Sequence, residues 1–314
     1  MTPALAVDAG QTEIRVALTG ERDPPVAARA PGVLRMDGAG VGADAVAGAL
    51  ITALDALGPL PEVEAVGVGL SGFEAASDED LRQVRAFLRE RLGVARVTIA
   101  SDGVTSLLGA LGESLGAVVA AGTGTVCVAR GPQRWAKVDG WGSLLGDDGS
   151  AFAIGRRGLN SALRELDGRG GSQALLAAAA ERFGEPGELA EAVYRSPVAT
   201  RTVASFARDV AQVAAQGDAE ARSILEDAGR DLAVTACAAL GRAFDPGEAV
   251  VVSYSGSVFS AGPPLLDSFT EELRRRRPDA DLVAPRGDSL AGAALLAELG
   301  PALMQDREMV WSAT

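Results

Sequence analysis

Two stretches decide the fold, ALAVDAGQTEIRVAL at residues 4–18 and AVVAAGTGTVCVAR at residues 117–130. Each has an apolar run, then a turn that contains glycine and threonine, then a second run in which apolar residues recur. This pattern predicts two β-hairpins. Because the same strand, turn and strand unit occurs twice, the sequence indicates an internal duplication.

The regions around these hairpins predict an α/β fold. Up to about residue 112 the predicted order is two strands, then helix, strand, helix, strand and helix, with helices at 43–57, 78–92 and 102–111. Ser77, three residues before Asp80, predicts a capping box at the start of the second of these helices. After Asp148 the chain is predicted to be mainly helical, at 148–165, 172–183, 187–195, 199–216, 219–243, 264–276 and 288–299, with strands at 249–252 and near 282–283.

The composition excludes several classes of active site and binding partner. The net charge is −13, which argues against a nucleic-acid partner held by surface electrostatics. The absence of histidine excludes His-based triads and His-ligated zinc, and two cysteines are too few for a four-thiolate metal site. Lys137 is the only lysine and is not preceded by the glycine pattern of a Walker loop. No apolar run reaches the ~20 residues of a membrane span, so we expect a cytoplasmic protein without membrane partners.

The two glycine and threonine turns are candidate phosphate-binding loops. Glycine lets a polyphosphate approach the backbone, and the N–H groups and hydroxyls of such turns can bind it. Each turn taken alone is equally typical of an ordinary hairpin, and it is the pair that favours a nucleotide site. Asp8, at the first turn, is a candidate partner for Mg²⁺ through water.

Asp102 is a candidate catalytic base. It follows a buried strand and precedes a helix, where open α/β sheets place reactive groups. A carboxylate there can accept the proton of a substrate hydroxyl that attacks phosphorus. The alternative is that Asp102 caps the helix, and the sequence alone leaves both roles open.

A loop rich in glycine and acidic residues, DGWGSLLGDDGS at residues 139–150, is a candidate ligand-binding loop. Its glycines and acids are poor core material. An aromatic face beside carboxylates and backbone amides suits a polyhydroxylated ligand, whereas the DxDxDG spacing of a calcium loop is absent.

Taken in order, these motifs resemble those of the N-acetylglucosamine kinase and BadF-type ATPase family, within the superfamily of actin, sugar kinases and heat-shock ATPases. The resemblance covers about residues 4–297 and rests on 8–12, 71–72, 101–103, 122–125, 140–150 and 255–259. It implies two ribonuclease-H-like domains around a nucleotide cleft: residues 1–112, completed by 298–314, and residues 113–297 with a helical insertion.

The resemblance also implies roles for individual residues. Asp102 matches the catalytic base and Asp8 faces the magnesium. ATP would be bound by Gly10, Gln11, Thr12, Gly122, Thr123, Gly124, Thr125, Gly256 and Ser257. The amino-sugar pocket would be lined by Ser71, Gly72, Gly140, Trp141 and Asp147.

The sequence therefore predicts an ATP- and Mg²⁺-dependent kinase of an amino sugar, N-acetylglucosamine first, and by resemblance a homodimer. Glucosamine, N-acetylmuramic acid and plain hexoses are competing acceptors. Two other functions stay open on the same fold. One is an activator ATPase with an iron–sulfur cluster, which needs suitably placed thiolates. The other is a sugar-sensing protein without turnover.

Overall fold

The computed structural model describes residues 3–10, 13–20, 26–32, 43–73, 76–303 and 309–311. The chain divides into two compact units, Met1–Ser114 with Ala284–Thr314, and Leu115–Val283. Both units are mixed α/β, and the predicted fold class is confirmed. The unit boundaries lie near 114 and 283, whereas the sequence placed the domain boundaries near 112 and 297. The functional domain division stays a prediction.

The strands of the described residues are β1 (Ala4–Ala9), β2 (Glu13–Thr19), β3 (Val26–Pro31), β4 (Ala65–Leu70), β5 (Arg96–Ser101), β6 (Gly116–Ala121), β7 (Thr125–Arg130), β8 (Trp135–Asp139), β9 (Val250–Ser255), β10 (Ala280–Leu282) and β11 (Val310–Trp311). The helices are α1 (Ala43–Leu57), α2 (Asp78–Leu92), α3 (Asp102–Leu111), α4 (Ala151–Leu166), α5 (Gln173–Phe183), α6 (Leu189–Tyr194), α7 (Ala199–Ser205), α8 (Ala207–Ala215), α9 (Ala219–Ala243), α10 (Pro263–Arg276) and α11 (Ser289–Leu303). Short 3₁₀ helices lie at Pro186–Glu188 and Ser257–Ser260.

The two sheets have the same topology. Their strand orders are β11-β5-β4-β1-β2-β3 and β10-β9-β6-β7-β8. In each unit a three-stranded antiparallel meander is extended by parallel strands, β1 with β4 and then β5, and β6 with β9 and then β10. The duplication predicted from the two hairpins is thus present in the strand order, and β11 is an addition to the first sheet.

Each unit has its own apolar core. In the first unit every residue of β1 and β4 is buried, because these strands lie in the middle of the sheet and are covered on both faces. In the second unit α9 packs against β6, β7 and β8 and against α10. No helix in the described parts of the chain combines the length and the apolarity needed to cross a membrane.

Helices α3 and α11 cross in backbone contact within the first unit. A Cβ atom at Gly292 would lie 1.7 Å from the Thr105 carbonyl oxygen, and one at Gly109 would lie 1.9 Å from the Asp288 carbonyl oxygen. Neither backbone can move away without displacing a whole helix. Glycine at these two positions therefore sets the distance between α3 and α11.

Candidate functional site

The carboxyl ends of three parallel strands meet at one edge of the first sheet. Gly10 follows β1, Ser71 follows β4, and Asp102 follows β5. The register pairs Ala9 with Leu70 and Leu70 with Ser101, and the Ser71 N–H donates to the Ala9 carbonyl at 3.0 Å. The structure thus brings these predicted residues together at the edge where open α/β sheets bind ligands.

Asp102 is the first residue of α3, and the cap of that helix is Ser101. The Ser101 hydroxyl accepts the Val104 N–H, so the interpretation of Asp102 as the helix cap is wrong. Instead, the Asp102 carboxylate accepts a hydrogen bond from the Ser71 hydroxyl. A carboxylate in the first turn is also stabilised by the partial positive charge of the helix N-terminus. Asp102 is half-buried.

Asp8 lies in β1 directly opposite Arg15 of β2. Its Oδ2 atom accepts hydrogen bonds from Arg15 Nε at 3.0 Å, Arg15 Nη2 at 2.5 Å and Ser289 Oγ at 2.8 Å. The Asp8 residue is only 8% exposed. A buried carboxylate next to the predicted first phosphate turn is therefore paired with an arginine.

Arg15 and Asp288 were not predicted as site residues from the sequence. Arg15 Nη1 also donates to Asp288 Oδ2 at 2.5 Å. Burial by itself lowers the pKa of Arg15, but the hydrogen bonds and charges of Asp8 and Asp288 outweigh it and raise the pKa above its usual value. For Asp288, burial raises the pKa, but the Ala291 N–H and the Arg15 charge outweigh it and lower the pKa overall. The hairpin register alone would have placed Arg15 opposite Asp8.

The first predicted phosphate turn is described only in part. The Gly10 N–H donates to the Glu13 carbonyl at 3.1 Å, which closes the hairpin between β1 and β2. Gln11 and Thr12 lie outside the described residues.

The second predicted phosphate turn joins β6 to β7 and is attached to the start of α4. The Gly122 N–H donates to the Gly124 carbonyl at 2.8 Å. The carbonyls of Gly122 and Thr123 accept the N–H groups of Ala151 and Phe152 at 2.9 and 3.2 Å. Within the part of the chain that the structure describes, the buried Thr125 hydroxyl has no hydrogen-bond partner. A bound ligand or water is the usual explanation for such a group.

The predicted adenosine motif lies against the end of β6, directly before the same turn. Gly256 has a φ of 96° and follows β9, whose Ser255 pairs with Ala120 of β6. A Cβ atom at Gly256 would lie 2.2 Å from the Ala121 carbonyl oxygen, so only glycine fits against the end of β6. Ser257, which is exposed, opens the following 3₁₀ helix. The second predicted phosphate turn and the predicted adenosine motif are therefore neighbours in the second unit.

Asp139 organises the loop that contains Trp141. Its carboxylate accepts the N–H groups of Gly140 and Asp147 at 2.8 Å each and that of Asp148 at 3.0 Å. The loop is therefore a closed structure around one side chain, and Asp139 ends β8 rather than lying in a free segment. Asp139 was predicted from the sequence to lie in the loop, but not to have this role.

Asp147 joins this loop to the second phosphate turn. It is 8% exposed and has a φ of 61°, a conformation uncommon for residues other than glycine. Burial raises the pKa of its carboxyl, although hydrogen bonds from the backbone N–H groups of Thr125 and Gly142 oppose that rise. A Cβ atom at Gly124 would lie 2.7 Å from Asp147 Oδ2. Asp147 is thus in contact with the turn.

Trp141 lies on the exposed part of the loop, together with Leu144 and Leu145. Trp141 is 74% exposed, and the Lys137 ammonium lies 5.9 Å from the centre of its ring. A large aromatic side chain left in water is unusual for a residue with a purely structural role. The ring is available to stack on a ligand.

Comparison with known proteins identifies the family. A model of the BadF/BadG/BcrA/BcrD ATPase family matches residues 5–297. The chain belongs to this family.

Two curated relatives are kinases. One is an N-acetylmuramic acid/N-acetylglucosamine kinase of Clostridium acetobutylicum, 27% identical over 76% of this chain and 78% of the relative. The other is an N-acetyl-D-glucosamine kinase of Dictyostelium discoideum, 29% identical over 75% of each chain. A solved structure from Chromobacterium violaceum, described as a candidate N-acetylglucosamine kinase, superimposes with a TM-score of 0.70 at 28% identity, covering 95% of this chain and 99% of that one. Family and relatives together indicate an ATP-dependent carbohydrate kinase.

The two cysteines lie in packed positions of the second unit. Cys127 in β7 is fully buried and Cys237 in α9 is partly buried. Burial is the main cause that raises the pKa of both thiols, so the thiolate that an iron–sulfur cluster requires is disfavoured at each. Among the described residues there is also no group of three or more acidic or cysteine side chains that could hold a metal by itself.

Proposed function

We propose that this carbohydrate kinase transfers the γ-phosphoryl group of ATP to a hydroxyl of an amino sugar, N-acetylglucosamine first, with Asp102 as the base. The observation that carries the proposal is the position of Asp102, at the start of α3 and hydrogen-bonded to Ser71. In the reaction the sugar hydroxyl loses its proton to the Asp102 carboxylate. The oxygen of this hydroxyl forms a bond to the γ-phosphorus. The bond between the γ-phosphorus and the β,γ-bridging oxygen breaks, and ADP leaves.

The nucleotide is proposed to bind at the two hairpin turns and the adenosine motif. Gly256 packs against Ala121, the residue before the 122–125 turn, and this supports a shared role toward one ligand. A phosphate oxygen would provide the hydrogen-bond partner that the buried Thr125 hydroxyl lacks among the described residues. Gly10, Gln11 and Thr12 are proposed to bind phosphate, and Ser257 to lie against the adenosine.

Asp8 is proposed to hold Mg²⁺ through water. The donor set fits this ion, because Mg²⁺ prefers oxygen ligands and usually takes few carboxylates, keeping its waters and the substrate phosphates. A single buried carboxylate, with no all-protein metal cluster in the described residues, agrees with that preference. When bound, the ion would neutralise negative charge on the phosphates.

The sugar is proposed to meet the exposed face of Trp141 and the polar groups of Ser71, Gly72, Gly140 and Asp147. The exposure of Trp141 and the closed loop around Asp139 support a preformed surface for a polyhydroxylated ligand. The names of the relatives supply N-acetylglucosamine and N-acetylmuramic acid as the first acceptors to test. Glucosamine and plain hexoses are the competing acceptors.

The substitution Asp102→Asn tests the base. It preserves the shape of the side chain but removes its proton-accepting charge, so sugar phosphorylation should fall by about 10²-fold or more. The dissociation constant for ATP, measured by isothermal titration calorimetry, should stay within about threefold of the wild-type value, roughly 0.7 kcal/mol.

Asp55→Asn is the matched control for this experiment. Asp55 is an exposed residue of the same unit, paired with Arg91, and its substitution should leave turnover unchanged. Turnover of Asp102→Asn within about tenfold of the wild type, a loss smaller than general bases usually produce, would show that Asp102 is not the base.

A further inference from the structure

One side chain connects the proposed magnesium site to a helix from the far end of the sequence. Arg15 binds Asp8 Oδ2 through two nitrogens, Nε and Nη2. Ser289 Oγ donates to the same oxygen and also accepts from Arg15 Nη2 at 2.8 Å. Three donors therefore occupy Oδ2, and no hydrogen bond reaches Oδ1 among the described residues.

Arg15 is itself fixed from a second side. Its Nη1 atom donates to Asp288 Oδ2, while Asp288 Oδ1 accepts the Ala291 N–H and so caps α11. The Arg15 side chain is 21% exposed, and its planar fork is held between two carboxylates. An arginine bound in this way has one orientation, which a lysine cannot reproduce because it presents a single point of charge.

We propose that Arg15 is a positioning residue: it engages Oδ2 of Asp8 so that Oδ1 is the oxygen presented to the magnesium–nucleotide complex, and Asp288 holds Arg15 in place. This inference rests on the proposed role of Asp8 toward Mg²⁺. A merely structural ion pair would stabilise the β1–β2 hairpin against α11 without affecting how the site responds to the metal.

The test compares ATP affinity with and without Mg²⁺, by calorimetry, in Asp8→Asn, Arg15→Gln, Arg15→Lys and Asp288→Asn. The measured quantity is the gain in affinity that Mg²⁺ produces. Arg15→Gln should reduce this gain to less than about a third of the wild-type value, while metal-free ATP affinity changes by less than about twofold. The gains of Arg15→Lys and Asp288→Asn should lie between those of Arg15→Gln and the wild type. Arg15→Lys keeps a positive charge beside Asp8, and Asp288→Asn keeps the cap of α11.

Arg91→Gln is the control, because it removes an exposed arginine ion pair with Asp55 from the same unit and should leave the gain unchanged. If Arg15→Gln is folded and keeps the full gain, or loses metal-free and Mg²⁺-dependent binding equally, the inference is overturned. If Arg15→Gln does not fold, the full gain in both Arg15→Lys and Asp288→Asn overturns it.

Asp8→Asn separates this inference from the proposed function. If Asp8→Asn loses the gain and the Arg15 variants keep it, only the role of Arg15 fails. If Asp8→Asn keeps the gain, the proposed magnesium role of Asp8 fails and the inference fails with it.

Discussion

At the scale of single residues, the hydrogen bond from Ser71 to Asp102 should affect the rate of sugar phosphorylation. The Ser71 hydroxyl fixes the orientation of the Asp102 carboxylate, and displacing a catalytic group by about 1 Å can cost about 10²-fold in rate, so Ser71→Ala should lower kcat by about tenfold or more. If Ser71 acts mainly by contacting the sugar, KM should rise instead. Steady-state kinetics at varied sugar concentration distinguish these results.

Ser77→Ala is the control for Ser71→Ala. Ser77 caps α2 through a capping box, so its loss should lower the free energy of unfolding by about 1 kcal/mol and leave kcat unchanged. Unchanged kcat and KM in Ser71→Ala would contradict a functional role for its hydroxyl.

Asp147 should make stability depend on pH. Burial raises the pKa of its carboxyl above the ordinary value of 3.8, so the ionised form opposes folding at neutral pH. This penalty is full above the folded pKa and disappears as pH falls toward the unfolded value. Asn tolerates the left-handed backbone at this position and carries no charge. Asp147→Asn removes this penalty but also removes one acceptor oxygen from the Thr125 and Gly142 N–H groups. The Tm of Asp147→Asn relative to the wild type should therefore rise as pH increases from the ordinary carboxyl pKa to neutrality.

Differential scanning fluorimetry over this pH range measures the difference in Tm, with the exposed Asp55→Asn as a control. A difference in Tm between Asp147→Asn and the wild type that does not change with pH would contradict the assigned burial effect.

The sequence predicts some of the candidate site residues to lie close together. Ser71 and Asp102 end neighbouring parallel strands, and the sequence shows both apolar strands and the polar residues that follow them. The contacts of Arg15 with Asp288 and Ser289 were not predictable, because they join residues 273 and 274 positions apart. Only tertiary packing brings the start of α11 beside the first hairpin.

At the scale of elements, the crossing of α3 and α11 predicts a strong effect of one methyl group. In Gly292→Ala the new Cβ would meet the Thr105 carbonyl at 1.7 Å. Overpacking of this kind lowers the free energy of unfolding by about 1–3 kcal/mol. This loss exceeds the stabilisation that comes from the higher helix propensity of alanine. We expect a lower Tm by calorimetry, together with reduced activity because α3 also carries Asp102.

Gly48→Ala is the matched control for the helix crossing. Gly48 is an exposed residue of α1, and nothing lies within 4 Å of a Cβ atom placed there. It should stabilise the protein by up to about 1 kcal/mol through helix propensity. Equal effects of the two substitutions would contradict the close crossing.

Element boundaries were predictable where a local signal marks both ends. The bounds of α1, α2 and α9 agree with the sequence, and the capping box of α2 is confirmed. Strands β3, β8 and β11 were not predicted, because a strand at a sheet edge needs its neighbour to form. The predicted helix at 199–216 is two helices, α7 and α8, which meet at Phe206, a fully buried side chain that no periodicity would reveal as a break.

At the scale of the whole molecule, the same sheet order occurs twice, and each copy has a Gly-containing turn at the first hairpin. The copies have diverged in what surrounds that turn. The first carries Asp8 and Asp102 at its sheet, while the second carries the adenosine motif and the Trp141 loop. The proposed catalytic base therefore lies in one copy and the predicted adenosine motif in the other. A homodimer and a cytoplasmic location stay predictions.

The alternative function as an activator ATPase is tested at this scale by the visible absorption spectrum of the protein. Because both thiols are buried or partly buried in packed elements, anaerobically purified protein should show no iron–sulfur absorption. An iron chromophore lost in both Cys127→Ala and Cys237→Ala would support the activator reaction instead.

The central claim is tested most directly by ADP release in a coupled assay with MgATP. The acceptors are N-acetylglucosamine, N-acetylmuramic acid, glucosamine, N-acetylmannosamine and glucose, each assayed with wild-type protein and Asp102→Asn. We predict strong turnover with an N-acetylated amino sugar, reduced by about 10²-fold or more in Asp102→Asn. ATP binding without turnover on any of these sugars would contradict the proposed kinase of amino sugars and favour a sugar-sensing protein.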